Sequence, residues 1–225
     1  MTAKNCLDKK EIEYLSLLLG LIDSQDWKTF QFTILRNLSG FKSFAKTISR
    51  SSELNGMTFL HACVRFDPPA HIVQMIINLC PDSPSTMDCL RRTPLHIAAG
   101  TRANISTLKI LADAYPMACD IQDEDGKTPL HFACDSSCEL FEDDENISRK
   151  PPSYDVIKLL LSASPLSVTI EDDTEMSPLE HALLSDSPIT VINMLQKETQ
   201  KQFRRQHRTA ISMKKTSVLR EVGHA

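Results

Sequence analysis

Apolar residues recur along this chain at steps of three and four, the spacing of a single helix face. Between Glu11 and Ile22 the set is Ile12, Leu15, Leu18, Leu19 and Ile22. Ser24-x-x-Trp27 then opens a second amphipathic stretch, with Trp27, Phe30, Ile34, Leu35 and Leu38 as its expected buried side. From residue 53 the stretches come in pairs. The first of each pair places Leu three residues before a small residue: Leu60/Cys63, Leu95/Ala98, Leu130/Ala133 and Leu179/Ala182. That spacing puts both on one face, and a small residue there lets a neighbouring helix come close. The second reads Ile72-Val73-x-x-Ile76-Ile77, Leu108-x-x-Leu111, Val156-Ile157-x-x-Leu160-Leu161 and Val191-Ile192-x-x-Leu195. Four helix pairs behind an opening helical pair are predicted.

The punctuation between these stretches is equally regular. Thr93-Pro94, Thr128-Pro129 and Ser177-Pro178 are helix starts, with a hydroxyl to cap a free N–H and Pro where its missing N–H costs nothing. The Thr column runs 58, 93, 128, 177, in steps of 35, 35 and 49. An acid stands five residues before each: Glu53, Asp88, Asp123 and Asp172. Gly56 and Gly126 stand two before Thr, but Arg91 and Glu175 take that place in the second and fourth copies. Because Gly is the residue that tolerates positive φ cheaply, the turn geometry of those two copies stays open. Cys80-Pro81, Tyr115-Pro116 and Ser164-Pro165 end the second helices. A His column, His61, His96 and His131, is expected to bond backbone nearby and tie one turn to the next.

Arg92-Thr93-Pro94-Leu95-His96-Ile97-Ala98-Ala99 returns as Lys127-Thr128-Pro129-Leu130-His131-Phe132-Ala133-Cys134. Looser copies are Met57-Thr58-Phe59-Leu60-His61-Ala62-Cys63 and Met176-Ser177-Pro178-Leu179-Glu180-His181-Ala182. This motif at a fixed period resembles the ankyrin repeat, a turn followed by two antiparallel helices, over about residues 53 to 203. The resemblance implies an all-α ankyrin-repeat solenoid. Its expected segments are a flexible start (1–8), a helical N-terminal cap or degenerate repeat (9–52), repeats at 53–87, 88–122, 123–171 and 172–203, and a basic tail (204–225). It also implies a protein partner bound on the finger turns and first helices. Carried over position by position, the partner-binding residues are Leu54, Asn55, Met57, Arg65 and Phe66 in the first repeat. Cys89, Leu90, Arg92 and Thr101 follow in the second, then Glu124, Asp125, Lys127 and Asp135 in the third. The fourth supplies Asp173, Thr174, Met176 and Leu184. Leu54, Met57, Phe66 and Leu90 stand out among them, because an exposed apolar cluster marks an interface.

The third copy is longer than the others, and its excess lies between its two helices at about residues 136 to 152. Glu139, Glu142, Asp143, Asp144 and Glu145 there predict an exposed acidic loop whose deletion leaves the stack unchanged. Charge separates the rest of the chain. Residues 197 to 220 hold eight Lys/Arg and one Glu, while the remainder holds 17 basic and 28 acidic residues. Arg204-Arg205-Gln206-His207-Arg208 and Lys214-Lys215 form a tail suited to nucleic acid, an acidic partner or an anionic membrane. That tail is the basis of an alternative adaptor function. Thr209 and Ser212 follow arginines at spacings resembling kinase sites, and a frayed helix or disorder is expected beyond Gln202.

Seven cysteines without an even spacing, and no secretory signal, point to a reduced, intracellular protein, cytoplasmic or nuclear, and a monomer is expected. The apolar run from Leu15 to Ile22 is too short to span a bilayer. Catalytic and cofactor chemistry finds no foothold. His131-x2-Cys134-x3-Cys138 lacks the fourth ligand of a structural zinc site. Asp123-x-Asp125-Gly126 resembles part of a calcium loop, but its first and twelfth positions would be Ile121 and Phe132. With neither a phosphate loop nor a nucleophile elbow, the expectation is no enzyme, no cofactor and no metal.

Overall fold

The computed structural model describes residues 7–49, 53–137, 140–141 and 151–222, with side chains through residue 208. Among the described residues every regular element is helical. A cap of three helices, α1 (Lys9–Asp23), α2 (Trp27–Arg36) and α3 (Leu38–Ile48), comes first. Four hairpins follow: α4 (Phe59–Val64) with α5 (Ala70–Leu79), α6 (Pro94–Gly100) with α7 (Ile105–Ala114), α8 (Pro129–Cys134) with α9 (Tyr154–Ala163), and α10 (Pro178–Leu184) with α11 (Ile189–Val222). The first helices contact one another in succession, and so do the second helices behind them.

Local chemistry sets these lengths. Each first helix starts at its Thr or Ser N-cap and lasts six or seven residues. After α4, α6 and α10 a residue in the left-handed region turns the chain back: Asp67 (φ 48°), Arg102 (φ 59°) and Asp186 (φ 46°). The helices α5, α7 and α9 each end two residues before a proline, Pro81, Pro116 and Pro165, as a ring without an N–H requires. Short 3-10 turns, Ser83–Ser85, Pro116–Asp120 and Pro165–Thr169, then lead to the next finger.

The core is the seam between the columns. Leu60, Leu95 and Leu130 are buried together with Cys63, Ala98, Ala133 and Ala182, and Ile72, Ile76, Leu108, Ile157, Leu160, Val191 and Leu195 meet them from behind. Leu179, in the last repeat, is only half-buried. The cap differs from its sequence reading. Its third helix carries Phe41, Phe44 and Ile48 into the core, and Phe41 and Phe44 reach the Phe59 ring at 5.4 and 6.0 Å. Ile12, Leu35 and Leu38 are exposed instead, because α3 rather than the end of α2 covers the stack. Asp26, not Ser24, caps α2. Leu7 is buried and Asp8 caps α1, so regular structure reaches into the segment expected to be loose. At the other end α11 runs as one helix to Val222, where a frayed or disordered tail was expected. No helix among the described residues is long and apolar enough to cross a membrane.

Candidate functional site

The aspartates preceding the motif build the finger turns. The Asp88 carboxylate accepts from the Leu90 and Arg92 N–H groups at 3.0 and 2.8 Å, and Asp123 accepts from Asp125 and Lys127 at 3.1 and 2.8 Å. Asp172 does the same for Thr174 and Met176 at 2.9 and 3.1 Å. The turn thus closed needs one left-handed residue, and all four copies have it: Gly56 (φ 79°), Arg91 (φ 60°), Gly126 (φ 76°) and Glu175 (φ 61°). The copies lacking Gly therefore fold the same turn against a steric penalty. Successive fingers then join edge to edge through Cys89 N–H to Asn55 C=O (2.7 Å), Glu124 N–H to Leu90 C=O (3.0 Å) and Asp173 N–H to Asp125 C=O (3.0 Å).

The histidines lock finger to helix. In each of the first three repeats Nδ1 accepts from the backbone N–H of the N-cap Thr, at 3.1 Å for Thr58 and 3.0 Å for Thr93 and Thr128. Nε2 then carries the proton and donates forward to the next repeat: His61 to Arg92 C=O (3.1 Å), His96 to Lys127 C=O (3.3 Å, shared with Ile121 C=O of its own repeat at 3.1 Å) and His131 to Met176 C=O (3.2 Å). Only the neutral ring can do both. Burial lowers all three basicities, to about 3 for His96 and about 4 for His131, with His61 shifted the same way. In the last repeat Glu180 fills this column. Its carboxylate accepts from Ser177 N–H at 2.7 Å, which completes the cap and needs no forward donor.

Against this frame the sequence-predicted partner residues divide. Asn55, Cys89, Leu90, Glu124, Asp125, Asp173 and Thr174 are exposed on the joined finger tips. Leu184 projects at 75% exposure from the end of α10. Leu54, Met57, Arg65, Phe66, Thr101, Lys127 and Met176 are half-buried, and Leu54 and Phe66 pack on the core rather than standing free. Two of these residues are nearly buried. Arg92, 8% exposed, spends Nε and Nη2 on the Asp88 carboxylate at 2.8 Å each. Asp135, 6% exposed, accepts from the Ser137 N–H at 2.8 Å and lies 3.6 Å from both the Lys127 and the His181 nitrogens. Both side chains brace the face from within.

The insertion of the third repeat differs from its sequence reading. Leu140 is buried and its carbonyl accepts from Arg92 Nη1 at 2.8 Å. The Phe141 ring lies 3.9 Å from the Arg65 guanidinium carbon and 5.4 Å from that of Arg92. The dipeptide thus crosses the first-helix face, whereas polar composition alone suggested a loop held off in solvent. Glu139, Cys138 and residues 142–150 lie outside the described residues. Leu90, Arg92, Lys127, Phe132, Asp135 and Leu140 line a groove beside it.

Catalytic chemistry is poorly served by these side chains. Burial pushes the Cys134 thiol up to about 12 and the Cys119 thiol up to about 11, and raises that of Cys63 further still. Such thiols are not nucleophiles at neutral pH. Both nitrogens of His131 are engaged as described, which leaves no lone pair for a metal. Among the described residues no three His, Cys, Asp or Glu side chains are grouped so as to hold a metal ion. Comparison with protein-family models matches residues 60–143 to Ankyrin repeats (3 copies) and residues 125–172 to Ankyrin repeat. The cap and the helices of the fourth hairpin lie outside those spans. A comparison with curated proteins finds no match.

Proposed function

This chain belongs to the ankyrin-repeat family, whose repeats generally mediate protein–protein interaction, and on that premise we propose that it is a non-enzymatic scaffold or adaptor. Its partner is a protein, bound along the finger tips and the adjoining ends of the first helices. The observation that supports this most is the row of exposed residues on the joined fingers. Leu90, 42% exposed, sits among Cys89, Glu124 and Asp125 on turns that hydrogen bonds hold rigid. Rigid display lowers the ordering cost of binding, and an apolar side chain within a polar rim is the usual anatomy of an interface.

The experiment compares three forms as bait in a cell extract: the intact chain, Leu90→Asp, and a chain ending at Gln202. Leu90 is exposed, so its substitution is expected to leave the melting curve in place. The reading predicts that Leu90→Asp loses the captured partners and the shortened chain keeps them. The opposite result, together with steep weakening by salt, would assign function to the basic tail and to nucleic acid or an anionic surface.

A further inference from the structure

One element of the interaction face is already occupied by the chain itself. Leu140 and Phe141 come from the loop between α8 and α9, yet they contact residues of the first two repeats. Three features make the place they occupy a built subsite. Arg92, fixed by its two bonds to Asp88, aims its remaining Nη1 at a peptide carbonyl. Gly100, the last residue of α6, leaves a notch for the Leu140 side chain: a Cβ there would lie 2.6 Å from Leu140 Cδ1. Arg65 and Arg92 present two guanidinium groups to one aromatic ring, at 3.9 and 5.4 Å. Together they read a dipeptide by main-chain carbonyl, aliphatic side chain and aromatic side chain in sequence. None of the three depends on the ligand being covalently attached.

We propose that this is a peptide-binding subsite for an aliphatic–aromatic dipeptide, and that Leu140-Phe141 fills it in cis, so that a partner bearing the same pair must displace the insertion. The inference rests on the reading of the finger and first-helix face as a partner surface and names the partner's chemistry there. The ring gains cation–π attraction that an aliphatic residue at the second position would lack. The notch admits a branched aliphatic side chain only because Gly100 has none of its own. Tethering places the cis segment at a local concentration on the order of millimolar. A free peptide of ~100 μM intrinsic affinity therefore meets a competitor that weakens it about tenfold.

The probe is a fluorescent synthetic peptide spanning residues 136–150, titrated by anisotropy against the full chain. Its affinity for Leu140→Ala/Phe141→Ala, where the subsite is vacated, is expected to exceed that for the parent by about tenfold. Adding Arg65→Ala to the vacated chain should weaken binding about two- to fivefold. A peptide with Ala at both positions should not bind. If the double variant loses its helical circular dichroism, Phe141→Ala alone, which empties the aromatic position beside Arg65 and Arg92, is expected to bind the peptide about two- to fivefold more tightly than the parent, and equal affinity then overturns the proposal. Equal affinity of parent and vacated chain, or binding to neither, overturns the proposal. If that happens while Leu90→Asp still loses its partners, the face remains an interface and the dipeptide is only a brace.

Discussion

A single imidazole orientation, repeated three times, makes this stack sensitive to acid. His61, His96 and His131 must be neutral to accept at Nδ1 and donate at Nε2. Burial holds the folded pKa of His96 near 3 and of His131 near 4, below the ordinary value of 6.5. Between those limits the unfolded chain binds more protons. Stability is therefore full above about pH 6.5 and falls as the pH drops towards 4, by up to about 1.4 kcal/mol per pH unit for each histidine. Urea unfolding at several pH values should show this slope, and His96→Gln should reduce it by about one histidine's share. A slope unchanged in that variant would place the acid sensitivity elsewhere. Leu95→Ala and Leu130→Ala should each cost about 2–5 kcal/mol, as buried leucines do, and parent-like melting would contradict their place in the core. Arg91→Gly should raise the melting temperature slightly, since a left-handed side-chain residue costs roughly 1–2 kcal/mol and Gly returns part of that as chain entropy. At this scale the sequence was informative where a column had one physical job. The Leu, Thr and Pro columns could be read directly. The acid column was visible, but its bonds to the finger N–H groups are set by turn geometry that spacing does not reveal.

Among the elements, the insertion and the cap depart most from what their composition suggests. Polar density hid Leu140 and Phe141, because two apolar residues within an acidic run give no period to read. The third cap helix was legible in principle: Asn37 precedes Phe41, Phe44 and Ile48 at helical steps, and its side chain accepts from Gly40 N–H at 3.1 Å. Leu140→Ala should cost about 1–3 kcal/mol, and removing Ser137 to Lys150 should leave the helical circular dichroism intact while lowering the melting temperature. An unchanged melting temperature would mean that Leu140 contributes nothing to the array. A different device closes α8. Arg102 reaches from the neighbouring repeat to the carbonyls of Phe132, Ala133 and Asp135, the last at 2.7 Å. Those carbonyls end a six-residue helix whose following loop is the long insertion. Arg102→Ala should therefore destabilise by about 1–3 kcal/mol, readable as early loss of amide protection in α8 by hydrogen exchange.

The whole molecule is an acidic stack with a basic helix leaving one end. Residues 189–222 of α11 span roughly 50 Å, and this helix packs against α9, α10 and the turn at Pro165–Thr169. Arg204, Arg205 and Arg208 are exposed on it. Ending the chain at Gln202 should change stability by no more than about 0.5 kcal/mol, as for surface changes away from the core. Order along the array was readable because the helices of each repeat pack mainly on those of its neighbours, so a local motif dictates the global form. The partner surface was less so: the positions that family resemblance marks for contact include Asp135, which is buried beside Lys127 and His181, and Arg92, whose guanidinium is fixed by Asp88. The central claim is that the finger face, and not the tail, meets the partner. Its most direct test places a photo-reactive amino acid at Leu90, on the fingers, or at Phe203, on α11, and identifies what each captures on irradiation in cells. The account predicts a discrete protein adduct from position 90 and little from 203. Adducts from 203 alone, with position 90 silent, would contradict it.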